Sequence, residues 1–178
     1  MPAITTDPDV ALALWMQLHD SAFPTGRMVH SQGLEQWLVD HPGADRVDIE
    51  HVVTLYLTNS YAPLDATIAA AAWRATNDLQ ALREVDDVTA SYKLYGNARI
   101  ASESAGRQLA AASRQSGLVD DWPYAEAVLS GATPGHCAVI EGALQARLGI
   151  PVHVAVLGSL RSMMASMLSA AIRLGRLG

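Results

Sequence analysis

Asp20-Ser21-Ala22-Phe23-Pro24-Thr25-Gly26-Arg27-Met28-Val29-His30-Ser31-Gln32-Gly33-Leu34-Glu35 is the stretch around which the chain is organised. An apolar helical run ends just before it, and another begins inside it near Met28. Pro24 fixes its own φ and pushes Phe23 toward an extended backbone, while Gly26 takes positive φ at little steric cost. Together they force a turn, so the local pattern is a helix–loop–helix joint. Ser21, Ser31, Gln32 and Glu35 place polar groups on either side of it.

Upstream, Pro8-Asp9 opens a first helix with Asp7 or Thr6 as N-cap. Its residues Val10 to Leu18 are apolar almost all round, which predicts a well-buried helix. Downstream, Asp40-His41-Pro42-Gly43 stops the second helix. Asp48 is placed to cap a third, in which Ile49, Val52, Val53, Tyr56 and Leu57 share one face. Ala62-Pro63-Leu64 interrupts that pattern, and Asp65 is placed to begin the next helix, where Ile68, Ala69, Ala72 and Trp73 share a face. Leu79 to Leu82 reads as a short turn of helix. The longest uninterrupted helix is expected from Asp87 to about Ser113. In it Gly106 needs a reason, because an interior glycine costs about 1 kcal/mol against alanine. Asp86-Asp87 is read as a helix start, where carboxylates favour the dipole.

Gly117 closes that helix, and a short one runs from Asp121-Trp122-Pro123 through Leu129. Gly131-Ala132-Thr133-Pro134-Gly135 is a loop, followed by a helix from His136 to Leu148 and a last one from Val152 to about Leu174. The last helix places Val156, Leu160, Met163, Met164, Met167, Leu168, Ala171 and Leu174 on a broad face, with the methionines expected in the core. No alternating strand pattern of useful length is present. The sum is one all-α domain, a bundle of about eight helices.

Composition agrees. The chain has 178 residues, 50% of them hydrophobic and 17% charged, enough for one domain with a real core and too apolar for wholesale disorder. A single Phe among many alanines points to helices in close approach rather than aromatic clusters. The net charge of −6 argues against a protein held to nucleic acid by phosphate contacts. The C-terminal end is nevertheless basic: no acidic residue follows Glu141, while Arg147, Arg161, Arg173 and Arg176 do. The single cysteine, Cys137, excludes an intrachain disulfide. The first residues have neither a basic region nor a long apolar one, so no secretory signal is expected. The run from Val152 to Ile172 is interrupted by His153 and Arg161 and reads as a buried helix rather than a membrane span. These features point to a cytoplasmic protein.

No catalytic constellation emerges. His19, His30, His41, His51, His136 and His153 are scattered, and adjacent residues such as His136-Cys137 point about 100° apart on a helix. No nucleophile has a base and an orienting acid at a known spacing. No Gly-x-x-x-x-Gly-Lys-Ser/Thr loop exists to cradle a nucleotide. A helical scaffold with polar joints works by presenting surfaces.

Ser-Ala-Phe-Pro-Thr-Gly at 21–26, followed by His-Ser-Gln-Gly-Leu-Glu at 30–35, closely resembles the N-terminal signature of UreF, a urease accessory family. The resemblance extends through Asp65 to Ala75, through Ser102-x-x-x-Gly106-Arg107-x-Leu109, and from Gly135 to Leu174. Arg27 departs from the second glycine usual in the signature. The family normally continues past the Leu174 region with a Gln-rich helix and a tail that helps bind UreD, whereas this chain ends at Gly178. The resemblance implies a non-enzymatic, all-α scaffold, usually a dimer. It also implies a complex with UreD (UreH in some organisms) and the GTPase UreG. That complex assembles on apo-urease and supports nickel insertion, with no cofactor bound by this chain itself and no nucleic acid or membrane partner. Ser21, Pro24, Gly26, His30, Ser31, Gly33, Glu35, Arg107 and Arg173 are the implied partner-binding candidates. A second reading is a helical metal- or small-molecule-binding sensor with a pocket between the Ala-rich and Met-rich helices. Its polar groups would be His136, Cys137, Tyr92 and Tyr95.

Overall fold

Asp7 starts the first helix, its carboxylate accepting the Asp9 amide at 2.8 Å. The computed structural model describes residues 7–20, 23 and 31–178, and these are all-helical, with no strand among them. The helices are α1 (Pro8–Leu18), α2 (Leu34–Asp40), α3 (Arg46–Tyr56), α4 (Thr67–Arg74), α5 (Leu79–Tyr92), α6 (Gly96–Gln115), α7 (Pro123–Ser130), α8 (Cys137–Arg147) and α9 (Val152–Arg173). A π-helical segment, Leu57–Ala66, joins α3 to α4 without a break, so the described residues form eight helical rods.

The fold centres on α8, in which every residue from Ala138 to Gln145 is buried. A helix enclosed on all sides is a core helix, here with Glu141 and Gln145 among its buried residues. The helices α4, α6 and α9 pack around it. Ile140 and Leu144 are fully buried, each contributing about 1.5–3 kcal/mol of apolar burial. The close approach expected from the alanines is realised: a Cβ at Gly142 would fall on the carbonyl oxygen of Ala69 in α4. Gly106 has the same reason, since a Cβ there would meet the carbonyl of Gly135 at the entrance to α8. A second, smaller cluster holds Leu34 and Leu38 of α2, Ile49 and Val53 of α3, and Met167 and Ala171 of α9.

Several local expectations are corrected. The segment from Asp87 to Ser113 is not one helix; it breaks at Lys93-Leu94-Tyr95 between α5 and α6. Lys93 is drawn to Asp65, its Nζ lying 2.9 Å from Oδ1. Arg99 donates to the carbonyls of Ala90 (3.1 Å) and Lys93 (3.2 Å), which α5 leaves open at its end. Leu79 to Leu82 is the first turn of the 14-residue α5, capped by Asp78, which accepts the Ala81 amide at 3.0 Å. Asp86 therefore stands inside that helix and not at a start. Pro63 does not interrupt the chain: the widened π turn carries it, and Asp65 binds Lys93 instead of capping. Asp45, not Asp48, caps α3, and Asp48 completes the capping box from the third helical position.

Helix α1 is less buried than its composition suggests. Ala11 and Leu18 are enclosed, but Leu12 and Met16 are 53% and 63% exposed. On α9 the buried positions are mostly small, namely Ala155, Gly158, Ser159, Ser162, Ser166 and Ala170, with Met167 the one enclosed methionine of that helix. Small residues win this face because they let the neighbouring helices come close; Gly158, for example, lies against Trp15 and His19 of the α1 end. By length and hydropathy α9 would suffice to cross a membrane, yet it packs against α2, α4 and α8 as a core helix.

Candidate functional site

The residues of the 31–35 segment and the C-terminal end of α9 meet on one surface. Gly33 is the N-cap of α2 at φ +86°, and its carbonyl accepts the Trp37 amide at 3.0 Å. Ser31 is half-buried, and its carbonyl accepts the Leu34 amide at 3.0 Å. Leu34 turns inward to the small cluster and is buried. The next residue, Glu35, therefore points along the rim, where a carboxylate in the first turn also suits the helix dipole. Its Oε1 receives Nη2 of Arg173, from the last turn of α9, at 3.1 Å. Both side chains are about half exposed, 47% and 51%, so water screens the pair and its worth to stability is small.

Arg176 follows, and sequence reasoning counted it only toward the basic end of the chain. Its guanidinium donates to the carbonyls of Leu38 (3.4 Å), His41 (3.2 Å), Pro42 (2.9 Å) and Ala44 (2.9 Å). A fixed cationic fork thus closes the C-terminal end of α2, where helix carbonyls lack intrahelical donors. His41 stacks on Trp37 with ring centroids 4.5 Å apart, and its Nδ1 lies 2.8 Å from the Trp37 carbonyl. Beside this latch lies a groove of about 830 Å³ between α3 and the end of α9, lined by Ile49, Val53, Leu57, Met164, Leu168 and Leu177. Arg46 and Glu50 stand at its rim, so the surface offers apolar area bordered by charges of both signs.

The other candidates are not gathered here. Arg107 stands on α6, where its Nη1 lies 3.3 Å from the carbonyl of Leu129 in α7. Ser21, Pro24, Gly26 and His30 lie outside the described residues.

A buried polar centre was missed altogether. Asp86, fully enclosed in α5, accepts from Thr133 Oγ1 (2.8 Å), the Gly135 amide (2.6 Å) and the His136 amide (2.8 Å). It anchors the loop before α8 and lies at the positive end of that helix. The loop Thr133-Pro134-Gly135-His136, rich in donors before a helix, was the available signal. The Ser102 hydroxyl lies 3.3 Å from both His136 Nδ1 and the Cys137 amide. Burial lowers the His136 pKa below its ordinary value; the charges of Asp86 and Glu103 oppose that shift, and Lys93 and Arg99 add to it. Burial first, then the charge of Asp86, pushes the Tyr124 phenol upward. Among the described residues, no group of three or more His, Cys, Asp or Glu is arranged to hold a metal ion. Tyr92 and Tyr95, counted with His136 for a ligand pocket, are instead 65% and 83% exposed.

The centre around Asp86 is architecture, whereas the surface around Glu35 and Arg173 is exposed and charged. The UreF family model matches residues 44–178. The urease accessory protein UreF of Trichodesmium erythraeum is 30% identical over 179 residues, covering 98% of this chain and 76% of its own length. That of Kocuria rhizophila is 26% identical over 160 residues, covering 89% of this chain and 68% of its own. The family match begins after the 20–35 stretch, but the alignment to the Trichodesmium protein, at 98% of this chain, runs through it. With three quarters of the chain inside the family match, this protein belongs to the UreF family of non-catalytic urease accessory proteins.

Proposed function

We propose that the chain is a single-domain cytoplasmic scaffold of urease maturation. In this reading it works as a homodimer and binds UreD (or UreH) together with the GTPase UreG. It holds them on apo-urease while nickel, the cargo, is inserted; any GTP is hydrolysed by UreG. It needs no cofactor of its own and engages neither nucleic acid nor membrane.

The observation that carries the reading is the Glu35–Arg173 pair. These two residues stand 138 positions apart, yet they meet at 3.1 Å on an exposed surface, beside an apolar groove. An ion pair that contributes little to stability is available to exchange partners, and such charges give specificity and orientation more than affinity. Exposed apolar side chains elsewhere, Leu94 and Tyr95 at the α5–α6 corner and Leu157 on α9, leave area for subunit contact. Gly33 and Ser31 belong to the same surface as Glu35. Ser21, Pro24, Gly26, His30 and Arg107 remain partner-binding candidates through the family resemblance alone.

The test is co-expression with the UreD and UreG of the same operon and recovery through a tag on this chain. A stable ternary complex is the expected result. Recovery of neither partner, from a chain that is folded by circular dichroism, overturns the scaffold reading.

A further inference from the structure

Gln32 has φ +54°, a left-handed backbone that side chains with a Cβ avoid. Gly33 follows at φ +86°, and the Leu34 amide closes back on the Ser31 carbonyl at 3.0 Å. Four residues closed in this way, with positive φ at both central positions, have the form of a type I′ turn. Glycine, asparagine and aspartate dominate such positions, because short side chains satisfy the backbone locally. Glutamine is too long for that service, so its conformation needs support from elsewhere.

Support comes from the end of α3. The Tyr56 hydroxyl donates to Gln32 Oε1 at 3.1 Å. Tyr56 packs against the small cluster and directly precedes the π segment. Burial, reinforced by the charge of Asp65, raises its pKa and keeps the phenol protonated, a permanent donor. Asp65 is itself fixed by Lys93 at 2.9 Å. Asp65 acts on Tyr56 through its charge alone, so the direct support of the turn is the Tyr56–Gln32 hydrogen bond.

We propose that Tyr56 is a positioning residue whose hydroxyl holds Gln32 in the left-handed turn and thereby sets the direction in which residues 31–35 present Glu35. The turn itself stands on geometry; its consequence for docking rests on the scaffold reading above, and the experiment separates the two.

Amide exchange of Leu34 is followed by NMR in the full chain, alongside the unfolding midpoint and partner recovery. In Tyr56→Phe, Leu34 exchange rises about fivefold, as expected for one net hydrogen bond. Partner recovery falls while the unfolding midpoint barely moves. Gln32→Ala removes the acceptor from an exposed position that cannot collapse the core, and it reproduces both effects. Gln32→Gly, free to adopt positive φ, keeps recovery at the wild-type level, and adding Tyr56→Phe to it changes nothing further.

Unchanged Leu34 exchange in both Tyr56→Phe and Gln32→Ala overturns the clamp. So does a Tyr56→Phe effect that persists undiminished in the Gln32→Gly background. A loosened turn with undiminished recovery overturns the positioning role. Should the wild-type chain recover no partner, the scaffold reading fails, and the exchange data still decide whether Tyr56 holds the turn.

Discussion

Around α8 alanine and glycine draw the helices close between buried leucines, isoleucines, valines and two aromatics, whereas beneath α2 a small set of leucine, isoleucine, valine and methionine is tied at the rim by arginines. The first cluster includes Ala69, Ala72, Ala110, Ala138, Ala143 and Ala155, with Gly142 and Gly106 at the points of closest approach. Its polar centre, Asp86, is wholly enclosed. The second cluster is open to a groove of about 830 Å³, and its polar ties, Arg176 and the Glu35–Arg173 pair, lie at the surface. A closed core with interior hydrogen bonds opens only when the whole domain opens. A small cluster held by rim charges opens locally at lower free energy. Partners that dock at Glu35 and Arg173, as proposed, would meet that second kind of structure, which can adjust without unfolding the first.

The largest expected effect breaks the first cluster. Asp86→Ala leaves the Thr133 hydroxyl and the Gly135 and His136 amides buried without their acceptor. Stranding such donors costs about 3–5 kcal/mol, read as a lowered urea midpoint. The same centre gives a pH dependence. His136 has its pKa lowered by burial, so the folded chain keeps the ring neutral where the unfolded chain, with a value of 6.5, takes up a proton. Proton uptake by the unfolded state favours unfolding. Stability contributed by this group is therefore full above pH 6.5 and declines as pH falls below it, before the ordinary carboxylates titrate. A His136→Gln chain should show a flatter stability profile between neutral pH and that carboxylate range.

The second cluster should respond locally. Arg176→Ala removes donors from four carbonyls at the end of α2 and the loop after it. A loss of about 1–2 kcal/mol is expected. Amide exchange should rise in α2 while α8 stays protected. Equal loosening of both helices would show that the two clusters open as one unit and would dissolve the contrast.

How much of this could be read in the sequence depended on where the information lay. The bounds of α8 were readable because Gly135 and Gly149-Ile150-Pro151 punctuate them locally, and α7 announced itself by Pro123 at its first position. The α5–α6 break was read through: Lys93-Leu94-Tyr95 contains no glycine or proline, and Gly96, the local signal beside it, is also tolerated inside a helix. The break is held by Asp65 and Arg99 acting across space. Pro63 gave the opposite error: a local breaker was absorbed by π widening within a continuous rod. Asp86 was misread because the start of α5 was placed eight residues too late, which moved a buried anchor to an exposed helix end. Glu35 and Arg173 entered through family resemblance; no spacing rule connects residues 138 positions apart, and only the fold brings them together.

That pair gives the smallest stability effect and the sharpest use of the comparison. Its side chains are half exposed, so Glu35→Arg or Arg173→Glu alone should shift stability by no more than about 1 kcal/mol. Each reversal places like charges side by side on the surface, and the double exchange restores an opposite pair with its polarity inverted. If the pair only fastens α2 to α9, the double exchange recovers whatever the singles lose in both stability and UreD–UreG recovery. If the surface is read by a partner, the double exchange regains stability but not recovery, because the partner meets the wrong sign at each position. The second outcome is expected. It would separate the charges that close the small cluster from the charges that a partner recognises, a distinction that no substitution within the α8 core can make.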